Sequence, residues 1–101
     1  MDSANCKYDF ASNKEVSVVN FYVNWCFYCK IQNLILNKFT NVFGNKAKIY
    51  NINSDQNQSL ADKLNVHSFP SILIFKNGDI VKHLTGLQNN DTLVDTVNKY
   101  L

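Results

Sequence analysis

A change of hydrophobic period at one point of the chain limits its folding choices more than any other feature. "VSVVNFYV" (Val16–Val23) is β-branched and aromatic and almost continuously apolar, the pattern of a buried central strand. Asn24 follows, then "WCFYCK", and from Phe27 to about Phe43 the period lengthens. Ile31, Leu34, Ile35, Phe39, Val42 and Phe43 recur at three- and four-residue spacing, which predicts a long amphipathic helix. Gly44 stops it from a C-cap position. A buried strand feeding a long helix is the first half of a parallel βαβ unit, and Cys26 and Cys29 lie at the joint.

The rest of the chain completes such a unit. "KAKIYNINS" reads as a second strand with Ala47, Ile49 and Asn51 on alternate positions, and "NQSLADKLNV" as a short helix facing inward through Leu60, Ala61 and Leu64. Asn77-Gly78 separates a strand at Ser71–Lys76 from a returning strand at Ile80–Thr85, and Asn-Gly between two such runs is a strong hairpin signal. The C-terminal stretch offers Asn90 as a helix cap, Asp91 in the first turn, and Leu93, Val94, Val97 and Leu101 on one face. The expected architecture is α/β: a central mixed β-sheet flanked by helices. With 101 residues, no repeat and no Gly/Ser linker, residues 1–101 are expected to form a single domain.

Composition narrows the function classes. All basic residues are Lys, none clustered, and the net charge is only +2. Without Arg forks for phosphate and guanine, nucleic acid is not expected as a partner. No apolar run is long enough to span a membrane, and "MDSANCKYDF" lacks the basic flank and apolar core of a secretory signal. The expected compartment is therefore the cytoplasm, with a removed presequence for another compartment left open. Three cysteines make an odd number, which argues against a secreted disulfide scaffold and for a working thiol pair.

Placed by this reading, Cys26 sits at the first turn of a helix. Unpaired N–H groups and the positive end of the helix dipole favour a thiolate there over a thiol. Cys29, one turn on, is in reach of the first sulfur and points deeper. One sulfur is then an exposed nucleophile and the other a resolving group that closes the disulfide. A metal site is the weaker reading. Zinc takes about four ligands, and beyond the pair the chain has only Cys6, His67 and His83, none at ligand spacing. No metal or organic cofactor is expected. A purely structural bridge across so short a loop would remove little entropy from the unfolded chain.

With Trp25, Cys26, Cys29 and Lys30 in this context, "WCFYCK" resembles the active-site motif of the thioredoxin family, and the likeness covers nearly the whole chain. "SDQNQSLADKLNVHSFPSILIFKNGDIVKHLTG" is similar to the family's later half and holds the single proline, Pro70. The resemblance implies a thioredoxin fold and protein thiol–disulfide exchange by a monomer that a reductase or thiol pool regenerates. It also implies a cis Pro70 facing the cysteines, Phe69 lending main-chain groups to an extended substrate, and Gly86 letting that substrate pass closely. Trp25 and Phe27 would complete the substrate surface. The competing readings are a non-catalytic binding module within a larger assembly and a glutathione-dependent, glutaredoxin-like protein. Tyr28 before the second cysteine is similar to glutaredoxins, but their glycine pair after the proline region is lacking.

The departures from the family pattern carry expectations of their own. Phe27-Tyr28 stands where the family has Gly-Pro, so Tyr28 restores an N–H that can point at the Cys26 sulfur and make the disulfide more oxidising. Potentials in this class span about 150 mV, or about 7 kcal/mol for two electrons. Asn20 and Asn51 stand where the family keeps a buried Asp and a Lys, so a neutral amide pair replaces an ion pair at both ends. Resolution by Cys29 is then expected to be slow or water-assisted. Leu34 replaces a helix-kinking proline. Fewer residues precede Val16 than the family uses for its first strand and helix, so that strand is expected to be short or absent. Cys6 reads as a structural or incidental thiol, Lys30 as a solvated lysine near the thiolate, and His67 as a turn residue.

Overall fold

The computed structural model describes residues 15–101. Cys6 and the question of an opening strand lie outside the described residues. Strand β1 (Val16–Tyr22) is buried along nearly its whole length. It pairs in parallel with β2 (Ala47–Asn53), Val16 opposite Ala47 and Asn20 opposite Asn51. On its other side it pairs antiparallel with β3 (Ser71–Lys76), which turns into β4 (Asp79–Thr85). The sheet order is β2-β1-β3-β4, so the two most buried strands, β1 and β3, take the central places. Burial on both faces explains why the β1 sequence does not alternate. At the hairpin, Asn77 and Gly78 have φ of 55° and 82°, two positive values that Asn-Gly tolerates and that match the strand twist.

Helix α1 (Phe27–Phe43) joins β1 to β2 and runs unbroken for 17 residues past Leu34. Gly44, at φ 57°, donates its N–H to the Thr40 carbonyl and closes the helix where a side chain would be strained. The short α2 (Gln58–Lys63) follows β2, and α3 (Asn90–Asn98) follows β4. Because β-strand side chains alternate, β1 feeds two cores. Val16 and Val18 meet Leu36, Phe39 and Phe43 of α1 and Leu93 and Val97 of α3 on one face. Val19 and Phe21 meet Ile52, Leu73, Phe75 and the α2 residues Leu60 and Ala61 on the other. Asn20 shares the parity of Val16 and Val18 and therefore lies on the face that α1 covers.

The structure corrects several local expectations. The buried residues of α1 are Cys29, Gln32, Leu36, Phe39 and Phe43. Leu34 and Val42 are exposed, and the inward stripe is displaced from the expected one. The face that meets the sheet carries Cys29, Gln32, Leu36, Phe39 and Phe43, and Leu34 and Val42 fall off it. Asn89, not Asn90, caps α3: its side chain accepts the Thr92 N–H at 2.9 Å. Leu101 is exposed past the end of that helix. Along β2, Asn51 is exposed, although it shares the parity of Ala47 and of Ile49, which packs against the α1 core.

Phe39 is fully buried and stacks on Phe43 with ring centroids 4.5 Å apart. Phe39→Ala is expected to cost about 3–5 kcal/mol, read as a lower denaturant midpoint. Val42→Ala, at a position 70% exposed, should stay within about 0.5 kcal/mol.

Candidate active site

Strand β1 ends at Tyr22, and the turn Val23–Trp25 carries the chain over the edge of the sheet into α1. Two contacts hold that turn. The Cys26 N–H donates to the Val23 carbonyl at 3.4 Å, and the Asn53 side-chain amide donates to Asn24 Oδ1 at 3.2 Å. Asn53 in turn accepts the N–H groups of Asp55 and Gln56, so the end of β2 is fixed by the same side chain that fixes the turn.

Cys26 is the N-cap of α1, with extended backbone, and its Sγ accepts the Cys29 N–H at 3.1 Å. A sulfur thus takes the place usually filled by a Ser or Asp oxygen. Cys26 and Cys29 are joined as a disulfide with Cα atoms 5.2 Å apart, a usual separation for such a bond. Two expectations change here. The donor to the Cys26 sulfur is the N–H of Cys29 rather than that of Tyr28, because an N-cap side chain bonds the third residue of the helix. Cys26 is also not freely exposed. It is 8% accessible against 4% for Cys29, since Val23, Tyr22 and Phe69 pack around both sulfurs.

Phe69 therefore reaches the cysteines through space, and the Phe69–Pro70 peptide bond is cis. The Pro70 carbonyl accepts the Gly86 N–H at 2.9 Å, which brings the end of β4 to the same rim. Gly86 has φ 84°, and a Cβ placed there would meet nothing within 4 Å, so this backbone faces open space. Trp25 and Phe27 stand out from the surface at 75% and 71% exposure, with Tyr28 exposed beside them. The Phe27 ring touches Tyr28 edge-on, at 5.7 Å between centroids, and does not fold back onto the domain. His67 lies on the turn before Phe69, its Nε2 3.0 Å from Asn65 Oδ1.

Behind Cys29 a cleft of about 250 Å³ opens between α1 and the end of β1. Asn20, Asn51, Lys30, Asn24, Asn33 and Tyr22 line it with Cys29, and among the described residues no carboxylate does. Asn20 donates from Nδ2 to Asn51 Oδ1 at 3.2 Å, while its Oδ1 is buried without a partner. The amide pair is thus lopsided, with one buried member and one exposed. Gln32 is the buried polar residue that periodicity missed. The spacing of Cys29, Gln32, Leu36, Phe39 and Phe43, alternately three and four residues, is the signal that identifies it.

A sulfur pair on a helix cap, flanked by a cis-proline turn and two protruding aromatic rings, defines a thiol–disulfide oxidoreductase on a mixed, helix-covered sheet. Comparison with known proteins agrees. The family model for thioredoxin matches residues 1–99. Thioredoxin of Bacillus subtilis is 33% identical over 90 residues, covering 89% of this chain and 86% of its own. The M-type chloroplast thioredoxin of Spinacia oleracea is 32% identical over 94 residues; the match takes in 92% of this chain but only 52% of the spinach chain. A single-substitution variant of thioredoxin from Halobacterium salinarum superposes with a TM-score of 0.83 at 29% identity, covering 91% and 80% of the two chains. The chain belongs to the thioredoxin family. Thioredoxins act on protein thiols and are themselves reduced by a reductase. Among the described residues, no helix is long and apolar enough to cross a membrane.

The position of Asn20 yields a stability test. Asn20→Asp puts a carboxylate at a buried position whose neighbour, Asn51, offers no charge. The variant is expected to lose about 2 kcal/mol or more, and Asn20→Asp with Asn51→Lys to recover most of it. Denaturant unfolding of the two single variants and the double variant reads the coupling.

Proposed function

We propose that this chain reduces protein disulfides as a single-domain monomer spanning residues 1–101, in a reducing compartment such as the cytoplasm. Cys26 is the attacking sulfur and Cys29 the resolving one. The observation that carries this reading is the cap itself: the Cys26 sulfur accepts a helix N–H at 3.1 Å. In the dithiol state that donor and the helix dipole favour the thiolate of Cys26, the form that attacks disulfides.

The Cys26 thiolate attacks one sulfur of the client disulfide; a new S–S bond forms, the client bond breaks, and its second sulfur leaves with the electron pair and takes up a proton. Cys29 then loses its proton, attacks the Cys26 sulfur, and expels the other client thiol. The client gains two electrons and two protons, and the pair ends as the disulfide. A reductase or a small-thiol pool returns it to the dithiol. Trp25, Phe27, Phe69, Pro70 and Gly86 form the surface along which an extended client lies, with the exposed rings taking its apolar side chains. Tyr28 stands beside Phe27 at the edge of that surface, and Lys30 faces the cleft behind Cys29. The described lining of the cleft behind Cys29 is amide-rich and holds no carboxylate, so the Cys29 proton leaves through water admitted there, past Asn20.

Turnover of a protein disulfide with dithiothreitol tests the assignment. Cys26→Ser is expected to abolish it, while Cys29→Ser should still attack and accumulate a mixed disulfide, seen as added mass. A trapped adduct on Cys29 in the Cys26→Ser protein would reverse the two roles, and no turnover by the unmodified protein would mark a binding module. Turnover requiring glutathione would mark a glutaredoxin-like protein. In a second measurement, Asn20→Asp should speed client release from Cys26 by about tenfold or more. Equal release rates would refute the water route.

A further inference from the structure

Gln32 is fully buried on α1, one turn beyond Cys29, on the same helix face as Leu36, Phe39 and Phe43. A side-chain amide in such a place is costly unless both its halves are paired. Here both are, and by a single residue. Nε2 donates to the Gln88 carbonyl at 3.0 Å, and Oε1 accepts the Gln88 N–H at 2.7 Å. The amide grips the main chain of the loop after β4 as a neighbouring strand would.

That loop carries Gly86. The Gln88 side chain donates back to the Thr85 and Gly86 carbonyls at 3.2 Å each, and the Gly86 N–H reaches the Pro70 carbonyl at 2.9 Å. A continuous run of hydrogen bonds therefore leads from the helix that Cys26 caps to both main-chain walls beside the sulfurs. An apolar side chain could fill the volume of Gln32 but could not hold the loop in register with the helix.

We infer that Gln32 is a positioning residue for extended disulfide substrates, clamping the Gly86–Gln88 main chain to α1 so that the wall keeps its distance from the Cys26 sulfur. This rests on the substrate surface proposed above. A client that lies along Gly86 needs the wall in place, whereas a small disulfide needs only the sulfur. A merely structural amide would instead affect stability and both substrate types alike.

The test uses the full chain with Gln32→Met, which keeps the bulk and removes both bonds. Initial rates are measured on an extended peptide disulfide and on 2-hydroxyethyl disulfide. KM for the peptide is expected to rise about tenfold, the size of effect that one unpaired buried polar group produces. Loss of kcat/KM on the small disulfide should be several-fold smaller, and amide hydrogen exchange at Gln88 should quicken. Equal losses on both substrates, or an unchanged KM for the peptide, overturn the inference. If Gln32→Met does not fold, Gln32→Asn is read the same way, since its shorter amide no longer reaches both Gln88 main-chain groups and buries no charge. Gly86→Ala separates the two levels. Raised peptide KM in that variant but not in the Gln32 variant sinks the clamp alone, and no rise in Gly86→Ala sinks the surface on which it depends.

Discussion

The hydrogen bond from the Cys29 N–H to the Cys26 sulfur ties the chemistry of this protein to its backbone. A helix must begin somewhere, and its first N–H groups must find acceptors. This chain begins α1 at the end of its most buried strand and supplies a sulfur as acceptor. The same bond therefore starts the helix, ties the two cysteines together, and leaves a donor aimed at the Cys26 sulfur. Had Ser or Asp capped this helix, the fold would be unchanged and the chemistry absent.

Everything around the cap keeps that geometry in place. Strand β1 is gripped by β2 and β3 and buried on both faces, so the turn at Val23–Trp25 starts from a rigid base. Asn53 pins the turn from one side, and Phe69 covers the sulfurs from another. Polar side chains do this work as amides. Asn20, Asn24, Asn51, Asn53 and Gln32 all sit within or around the site, and none of them carries charge. A neutral amide avoids the several kcal/mol of desolvation that a buried ion entails, at the expense of a base near Cys29. The unpaired Oδ1 of Asn20 is the visible residue of that exchange.

Much of this was legible from residues alone, for reasons that differ by element. The span of α1, the parallel βαβ unit and the Asn-Gly hairpin all appear in the sequence because period, cap and turn chemistry are local properties. The cap residue of α3 is not fixed locally, because Asn89 and Asn90 are chemically identical and only the Thr92 N–H chooses between them. The inward face of α1 is not fixed by composition, because Leu34 and Val42 are apolar like Leu36. Which of them meets the sheet depends on how the helix lies across it. The burial of Gln32 is not local either, because a polar residue counts against the buried stripe until its partner, 56 positions away, is in place.

The sequence by itself determined that a reactive pair of cysteines stands between a buried strand and a long helix, because hydrophobic period and residue spacing are written in the order of the chain. Tertiary structure alone decided what surrounds those sulfurs. Phe69 is far from Cys26 along the chain and meets it only when β3 pairs with β1, and Gly86 and Gln88 reach Pro70 and Gln32 only when β4 pairs with β3. The burial of both sulfurs, the half-paired amide of Asn20 and the grip of Gln32 on the loop are relations between distant segments. No local pattern encodes them, because each exists only when two surfaces remote in sequence exclude water from between them.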